Sequence, residues 1–237
     1  MDGSTLSLLW QEVLERTRPG AVPQARALWP ALGLLVLVLA LPTARRWGRT
    51  LVTVVHEAGH AGVGLLCGRR FRGFVVERDL SGHAVTSGRD RGLGRVVTSW
   101  AGYPAPAVLG AGVLAGALRG WAGLVLGVGL LLLLGLLVMS RSVRTAFVVL
   151  VAGCLVGGTW WWGGDVRAGV VAGCGLVLLV GAWGSLADVT RSHDGAQDHR
   201  TLARLTPLPA VFWLLSWFLV DAAATVLVVG LGSGVLW

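Results

Sequence analysis

The chain contains no lysine, no isoleucine and no asparagine, so all 20 of its basic residues are arginine. The missing residues have AT-rich codons, whereas the abundant Gly, Ala, Arg and Val have GC-rich ones. The bias therefore reads as a GC-rich bacterial genome and not as a demand of the fold. Charge is scarce too: charged residues make up 14% of 237 positions, against about 25% in a soluble domain. Cysteine is limited to Cys67, Cys154 and Cys174, all in apolar stretches and with no CxxC pair. An odd count so placed excludes a disulfide framework and reads as small packing residues. The first 20 residues have no basic start followed by an apolar core, and they carry Asp2, Glu12 and Glu15. They do not read as a signal peptide. No internal repeat is visible.

What is present in excess is hydrophobic: 54% of residues, with a mean hydropathy of +0.72. A soluble fold of this size could not hide so much apolar surface, and a disordered chain would not carry it. The composition implies a bilayer. A formal charge of +8 is also found in nucleic-acid-binding chains. No basic run is interleaved with aromatics, and loop arginines of a membrane protein act as orientation signals.

A spanning helix needs roughly 20 apolar residues. Seven segments qualify: 27–43, 50–68, 96–118, 121–140, 145–164, 168–187 and 208–236. The expected fold is an all-α polytopic membrane protein of about six to seven transmembrane helices. Residues 27–237 form one integral membrane domain. Residues 1–26 form an amphipathic interfacial segment, with Leu6, Leu9, Trp10 and Val13 on one face. With seven spans and a cytoplasmic N-terminus, 15 of 20 arginines fall inside. Arg45, Arg46, Arg49, Arg119 and Arg167 fall outside, with Trp160, Trp161, Trp162 and Trp237 at the outer interface. The expected location is the bacterial inner membrane. The polar 69–95 loop looks strand-like: Phe71, Phe74, Val75 and Val76 precede a Ser81–Gly82 turn and then His83 to Thr86. A small β-hairpin-like loop after the second span is expected.

That second span contains His56-Glu57-Ala58-Gly59-His60. This is HExxH on a helix. Histidines at i and i+4 project from one face and can bind a single Zn²⁺, while the intervening Glu can take a proton from water. Chance would produce the pattern in roughly one chain in two hundred of this composition. Three ionisable groups within five residues of an apolar helix must face the bundle interior and find partners. A catalytic zinc usually has three protein ligands. Asp188, His193, Asp194, Asp198, His199 and the mid-span Asp221 are the candidates for the third. Cys67, on the same face as His60, reads as packing.

These residues resemble the site-2 protease class of intramembrane zinc metallopeptidases, and most closely a compact bacterial branch of it. Three stretches carry the likeness. They are the HEAGH helix followed by Gly68-Arg69-Arg70, Trp100-Ala101-Gly102-Tyr103-Pro104-Ala105-Pro106, and Asp198-His199-Arg200 continuing to Pro209. The likeness covers roughly residues 45–215. It implies one Zn²⁺ per chain, held by His56, His60 and Asp198, with Asp194 (followed by Gly195) as the alternative third ligand. It implies Glu57 as the catalytic base, and a membrane protein or peptide as substrate. Tyr103, His83, His193 and His199 are possible oxyanion donors. Tyr103, Pro104 and Pro106 are candidates for substrate access, because each proline removes a helix donor and loosens the third span. The hairpin could offer an edge to an extended substrate. A proteolytically silent zinc-binding scaffold or regulator is the competing function, and a proton- or ion-path transporter is a more distant one.

Overall fold

The computed structural model of the chain describes residues 3–76, 82–138, 140, 143–192, 194–195 and 197–236. Helices dominate. Helix α1 covers Gly3–Thr17, α2 Trp29–Ala40 and α3 Pro42–Leu66. Two strands follow, β1 at Arg70–Val76 and β2 at Gly82–Ser87. Then come α4 at Leu93–Trp100, α5 at Pro104–Leu118, α6 at Ala122–Val138 and α7 at Val143–Trp162. The chain ends with α8 at Val166–Arg191, a short α9 at Asp198–Leu205, and α10 at Ala210–Leu236.

The two strands pair antiparallel, Arg70 opposite Ser87 and Val76 opposite Gly82, with an irregularity between Phe71 and Gly73. The expected Ser81–Gly82 turn begins in residues 77–81, outside the described residues. Helices α8 and α10 are long and apolar enough to cross a membrane on their own. Two bent pairs qualify only if each counts as one span: residues 25–40 with α3, bent by 105°, and α4 with α5, bent by 59°. Helix α6 and residues 146–162 of α7 are apolar but shorter. Among the described residues two to four spans thus meet the length and hydropathy requirement, where the sequence suggests six to seven.

The bends have local causes. Leu41 is extended, and Pro42, at the first position of α3, has no N–H to continue the preceding helix. Arg45, Arg46 and Arg49 therefore lie in the opening turns of α3 and not in a loop between two spans. Pro104 likewise opens α5. The stretch 96–118, read as one span, is interrupted at residues 101–103. This is the loosening expected of Pro104 and Pro106, although both prolines are themselves buried in the first turn of α5.

The core lies between α5 and α8, with α2, α6 and α10 packed around it. Its members are mostly Ala, Leu and Val: Ala107, Ala111, Leu114, Val171, Ala172, Leu179 and their neighbours. Gly110 and Gly175 meet where the two helices cross, and a Cβ on either would lie under 3.0 Å from the other's carbonyl oxygen. Small residues at the crossing bring backbones together where lipid supplies no hydrophobic drive between helices. Outward-facing leucines and valines, such as Leu131, Leu132, Leu155 and Val226, remain exposed. In a bilayer they face acyl chains.

The packing of the N-terminal segment brings together ends that the expected scheme separates. The Gly20 amide donates to the Gly120 carbonyl at 2.9 Å. The Arg16 guanidinium donates to the Trp161 carbonyl at 2.8 Å and lies 4.4 Å from the centre of that indole. Residues 16–26 therefore share one end of the bundle with Arg119 and Arg167 and do not face them across the membrane. The expected scheme had placed them on opposite sides because it counted α2 and α3 as two separate crossings. Of the aromatic cluster at this end, Trp160 is buried in the core and Trp162 is exposed; Trp237 lies outside the described residues. Helix α1 forms over the expected amphipathic segment. Its Leu8, Leu9 and Trp10 are exposed, while Val13 packs against the core.

Candidate metal centre

Helix periodicity puts His56 and His60 on one face of α3, one turn apart. Their Nε2 atoms come within 3.1 Å of each other, with the rings nearly perpendicular at 86°. The Asp198 Oδ2 atom stands 3.4 Å from the His56 Nε2 and 3.3 Å from the His60 Nε2. These three side chains form the one group of potential metal ligands found among the described residues. The atoms mark a nearly equilateral triangle. Ligands 2.0–2.2 Å from a tetrahedral zinc would stand about 3.3–3.5 Å apart. The donor set and its spacing therefore fit a zinc ion.

Electrostatics point the same way. The His60 Nδ1 lies 2.7 Å from the Thr98 carbonyl oxygen, so this nitrogen carries the proton and donates. In the neutral ring that leaves a lone pair on Nε2, the atom aimed at the triangle. Two imidazole nitrogens and a carboxylate oxygen crowd one point, and a cation there would satisfy all three. Burial alone would raise the Asp198 carboxyl. Its contacts with His56 and His60 outweigh this and hold it well below the usual carboxylate range. The three side chains are still 17%, 16% and 25% exposed, which leaves room for water to arrive.

Two glycines make the approach possible. A Cβ on Gly102 would stand 2.3 Å from the His60 Nε2 and 2.7 Å from the His56 Nε2, filling the place the ring nitrogens face. A Cβ on Gly59 would stand 2.6 Å from the Ala101 carbonyl oxygen, so α3 lies directly against the α4–α5 break. Gly62, also beside the histidines in sequence, has open space around it.

Asp198 arrives by tertiary packing. It is the first residue of α9, where a carboxylate is favoured by the helix dipole. The helix is seated by Leu202, which is fully buried with Leu186, Val189 and Trp217. Tyr103 links this seat to α3. Its ring stands edge-on to His56 at 4.7 Å and stacks on Trp217 at 4.2 Å. Its hydroxyl donates to the Gln197 Oε1 at 3.2 Å. The Trp217 indole donates to the Trp100 carbonyl at 3.1 Å, and the Trp100 indole to the Ser216 hydroxyl at 2.9 Å.

The remaining candidates lie elsewhere. Asp188 pairs with Arg49 at 2.7 Å on the surface. Asp194 is exposed, and its amide donates to the Ser192 hydroxyl; it is not in the three-residue group. Asp221 is buried in α10, also outside the group, and its Oδ1 has no partner among the described residues. His199 is buried, its Nδ1 likewise without a partner among the described residues. Burial lowers its imidazole, and Arg200 lowers it further. His83 lies in β2 opposite Val75, and His193 falls outside the described residues. Cys67 is free and exposed. Glu57 is half-buried beside His56 on α3.

Sequence reasoning gave no role to Thr98, Gly102, Gln197 or Trp217. Gly102 lies inside the Trp100–Pro106 stretch, which was a usable signal. Thr98 acts through its backbone oxygen, and residue type carries no signal for that. A family model described as Peptidase M50B-like matches residues 29–228. No curated protein and no solved structure matches the chain.

Proposed function

The chain belongs to the peptidase M50B-like family, of the site-2 protease class, and from that premise we propose that it is an intramembrane zinc metalloprotease. It would hydrolyse a peptide bond of a membrane-embedded or membrane-adjacent protein. The observation that carries this reading is the triangle of the His56 Nε2, His60 Nε2 and Asp198 Oδ2 with edges of 3.1 to 3.4 Å.

In this reading His56, His60 and Asp198 hold one Zn²⁺. When bound, the ion supplies Lewis acidity that polarises a carbonyl oxygen and acidifies water. The chain's own residues do the rest. Glu57 takes a proton from the attacking water and returns it to the leaving amine. The Thr98 carbonyl holds the His60 ring in one tautomer. Tyr103 packs edge-on to His56, and its hydroxyl is the candidate donor to the developing oxyanion. The break at residues 101–103 leaves the third segment non-helical beside the site, where a substrate must also unwind to expose its peptide bond.

Sidedness belongs to the same proposal. Arg69, Arg70, Arg89, Arg91, Arg95, Arg191, Arg200 and Arg204 gather at the site end, against Arg16, Arg18, Arg26, Arg119 and Arg167 at the other. The positive-inside rule then makes the site end cytoplasmic and the N-terminal segment outer, in the bacterial inner membrane. Cys67 reports on this. In a Cys154→Ser/Cys174→Ser background, an impermeant maleimide should label it in inverted vesicles and not in spheroplasts. The opposite pattern would reverse the orientation.

The deciding experiment pairs zinc analysis of the detergent-purified protein with cleavage of a single-span substrate. Wild type should hold stoichiometric zinc and cleave. Glu57→Gln should keep the zinc and lose cleavage by about 10²–10⁴-fold. A protein without zinc would sink the metalloprotease. Zinc with Glu57-independent turnover would sink the assigned base.

A further inference from the structure

A second polar site lies beyond the C-terminal end of α3. Four arginines, Arg69, Arg89, Arg91 and Arg95, line one cavity of about 870 Å³, and Asp90 is the only acid in its wall among the described residues. Arg69 is 8% exposed, buried more deeply than the potential metal ligands. Its Nη1 donates to the Arg89 carbonyl at 2.7 Å, while its Nε is buried with no acceptor among the described residues. The chain passes close over this guanidinium: a Cβ on Gly88 would stand 3.2 Å from both the Arg69 Cγ and Nη1. Helix α4 also opens into the cavity. It starts after Gly92 with no side-chain cap and no acid in its first turn, so its positive end faces the cavity with only Asp90 nearby among the described residues.

A buried guanidinium among three others of the same sign is costly unless an anion accompanies it. Arginine forks and a helix N-terminus together match the oxygens of a phosphate group. The flanks of the cavity are apolar, with Leu65, Leu66 and Leu93 largely exposed. A polar cradle with an apolar rim at the end of a membrane helix suits a headgroup whose acyl chains lie along that rim.

We propose that this cavity binds a phosphate group, carried by an anionic phospholipid headgroup. The site is separate from the His–His–Asp triangle: Cys67 and Gly68 place it more than a helical turn beyond His60. Its walls join the end of α3, the residues just before β1 and just after β2, and the start of α4, the helix whose Thr98 holds His60. A bound phosphate would therefore tie together the elements that frame the metal centre.

The test uses the full chain in detergent, titrated with dioctanoyl phosphatidylglycerol or with sodium phosphate and followed by native mass spectrometry. Saturable lipid binding is expected. It should weaken by about tenfold or more in the Arg89→Gln/Arg91→Gln variant, whose exposed positions leave folding intact. Arg69→Gln should show the same loss, and Arg119→Gln at the far end should bind as wild type. Lipid binding that phosphate does not displace identifies the headgroup with its apolar rim. Displacement at equal concentration identifies free phosphate as the ligand of the same cradle. No saturable binding of either probe, or equal binding by wild type and the double variant, overturns the proposal.

Discussion

Two kinds of helix build this bundle. Helices α8 and α10 run unbroken for 26 and 27 residues. The α2–α3 and α4–α5 pairs each change direction at a proline-led break. The unbroken helices, with α5, carry the frame: small residues, close crossings and apolar faces. The broken ones carry the polar chemistry, since His56, Glu57 and His60 lie on α3 and Thr98, Gly102 and Tyr103 at the α4–α5 break. In lipid a free backbone carbonyl is expensive unless it finds a partner. The break supplies such a carbonyl at Thr98, and His60 uses it. The difference teaches that polar groups are affordable here where a helix stops, because its ends offer the hydrogen bonds they need.

Two acids sharpen the contrast most, Asp221 buried and Asp198 a quarter exposed. Asp198 begins a short helix between the long ones, whereas Asp221 sits within the unbroken α10. Asp198→Ala should abolish stoichiometric zinc and cleavage together. Asp221→Asn, similar in shape, should leave zinc content unchanged by elemental analysis. Equal zinc in Asp198→Ala and wild type would remove Asp198 from the centre.

Glycine substitution tests the same division at smaller scale. Gly102→Ala pushes a methyl against both ring nitrogens and should weaken zinc retention during chelator titration by at least tenfold. Gly112→Ala lies on α5 with nothing within 4 Å of the new Cβ. It should change thermal stability by no more than about 0.5 kcal/mol. Similar effects from the two would deny the break its special role.

Tyr103→Phe removes the hydroxyl bond to Gln197 but keeps the ring between His56 and Trp217. A loss of about 1 kcal/mol in stability is expected if that bond is all the hydroxyl does. A drop in kcat of tenfold or more with unchanged zinc would place it at the oxyanion. The smallest effect should come from Arg49→Gln, which breaks a surface pair between broken α3 and unbroken α8 whose side chains are 71% and 59% exposed. Such pairs contribute between 0 and about 1 kcal/mol, less in high salt.

Much of the site was legible in advance. HExxH states its own geometry, because i and i+4 share a face on any α-helix. The apolar runs announced where the helices would be, and Pro104 and Pro106 announced where one would yield. The third acid was narrower but still ambiguous: residues 188–199 offered several, and spacing does not rank groups separated from the histidines by more than a hundred residues. Leu202 and Trp217 decide it by seating α9. Hydropathy does not distinguish two crossings from one bent segment, so it does not say which loops share an end. The contacts of Gly20 with Gly120 and of Arg16 with Trp161 reveal which ends meet.

Local chemistry thus determined what kind of protein this is: a membrane chain with two histidines and a glutamate within five residues of one helix, written in composition and in a period of 3.6. The tertiary structure decided which acid joins that helix, which glycines clear its approach and which arginines share a side. These are relations between residues distant in the chain, set by packing of side chains that no local pattern couples.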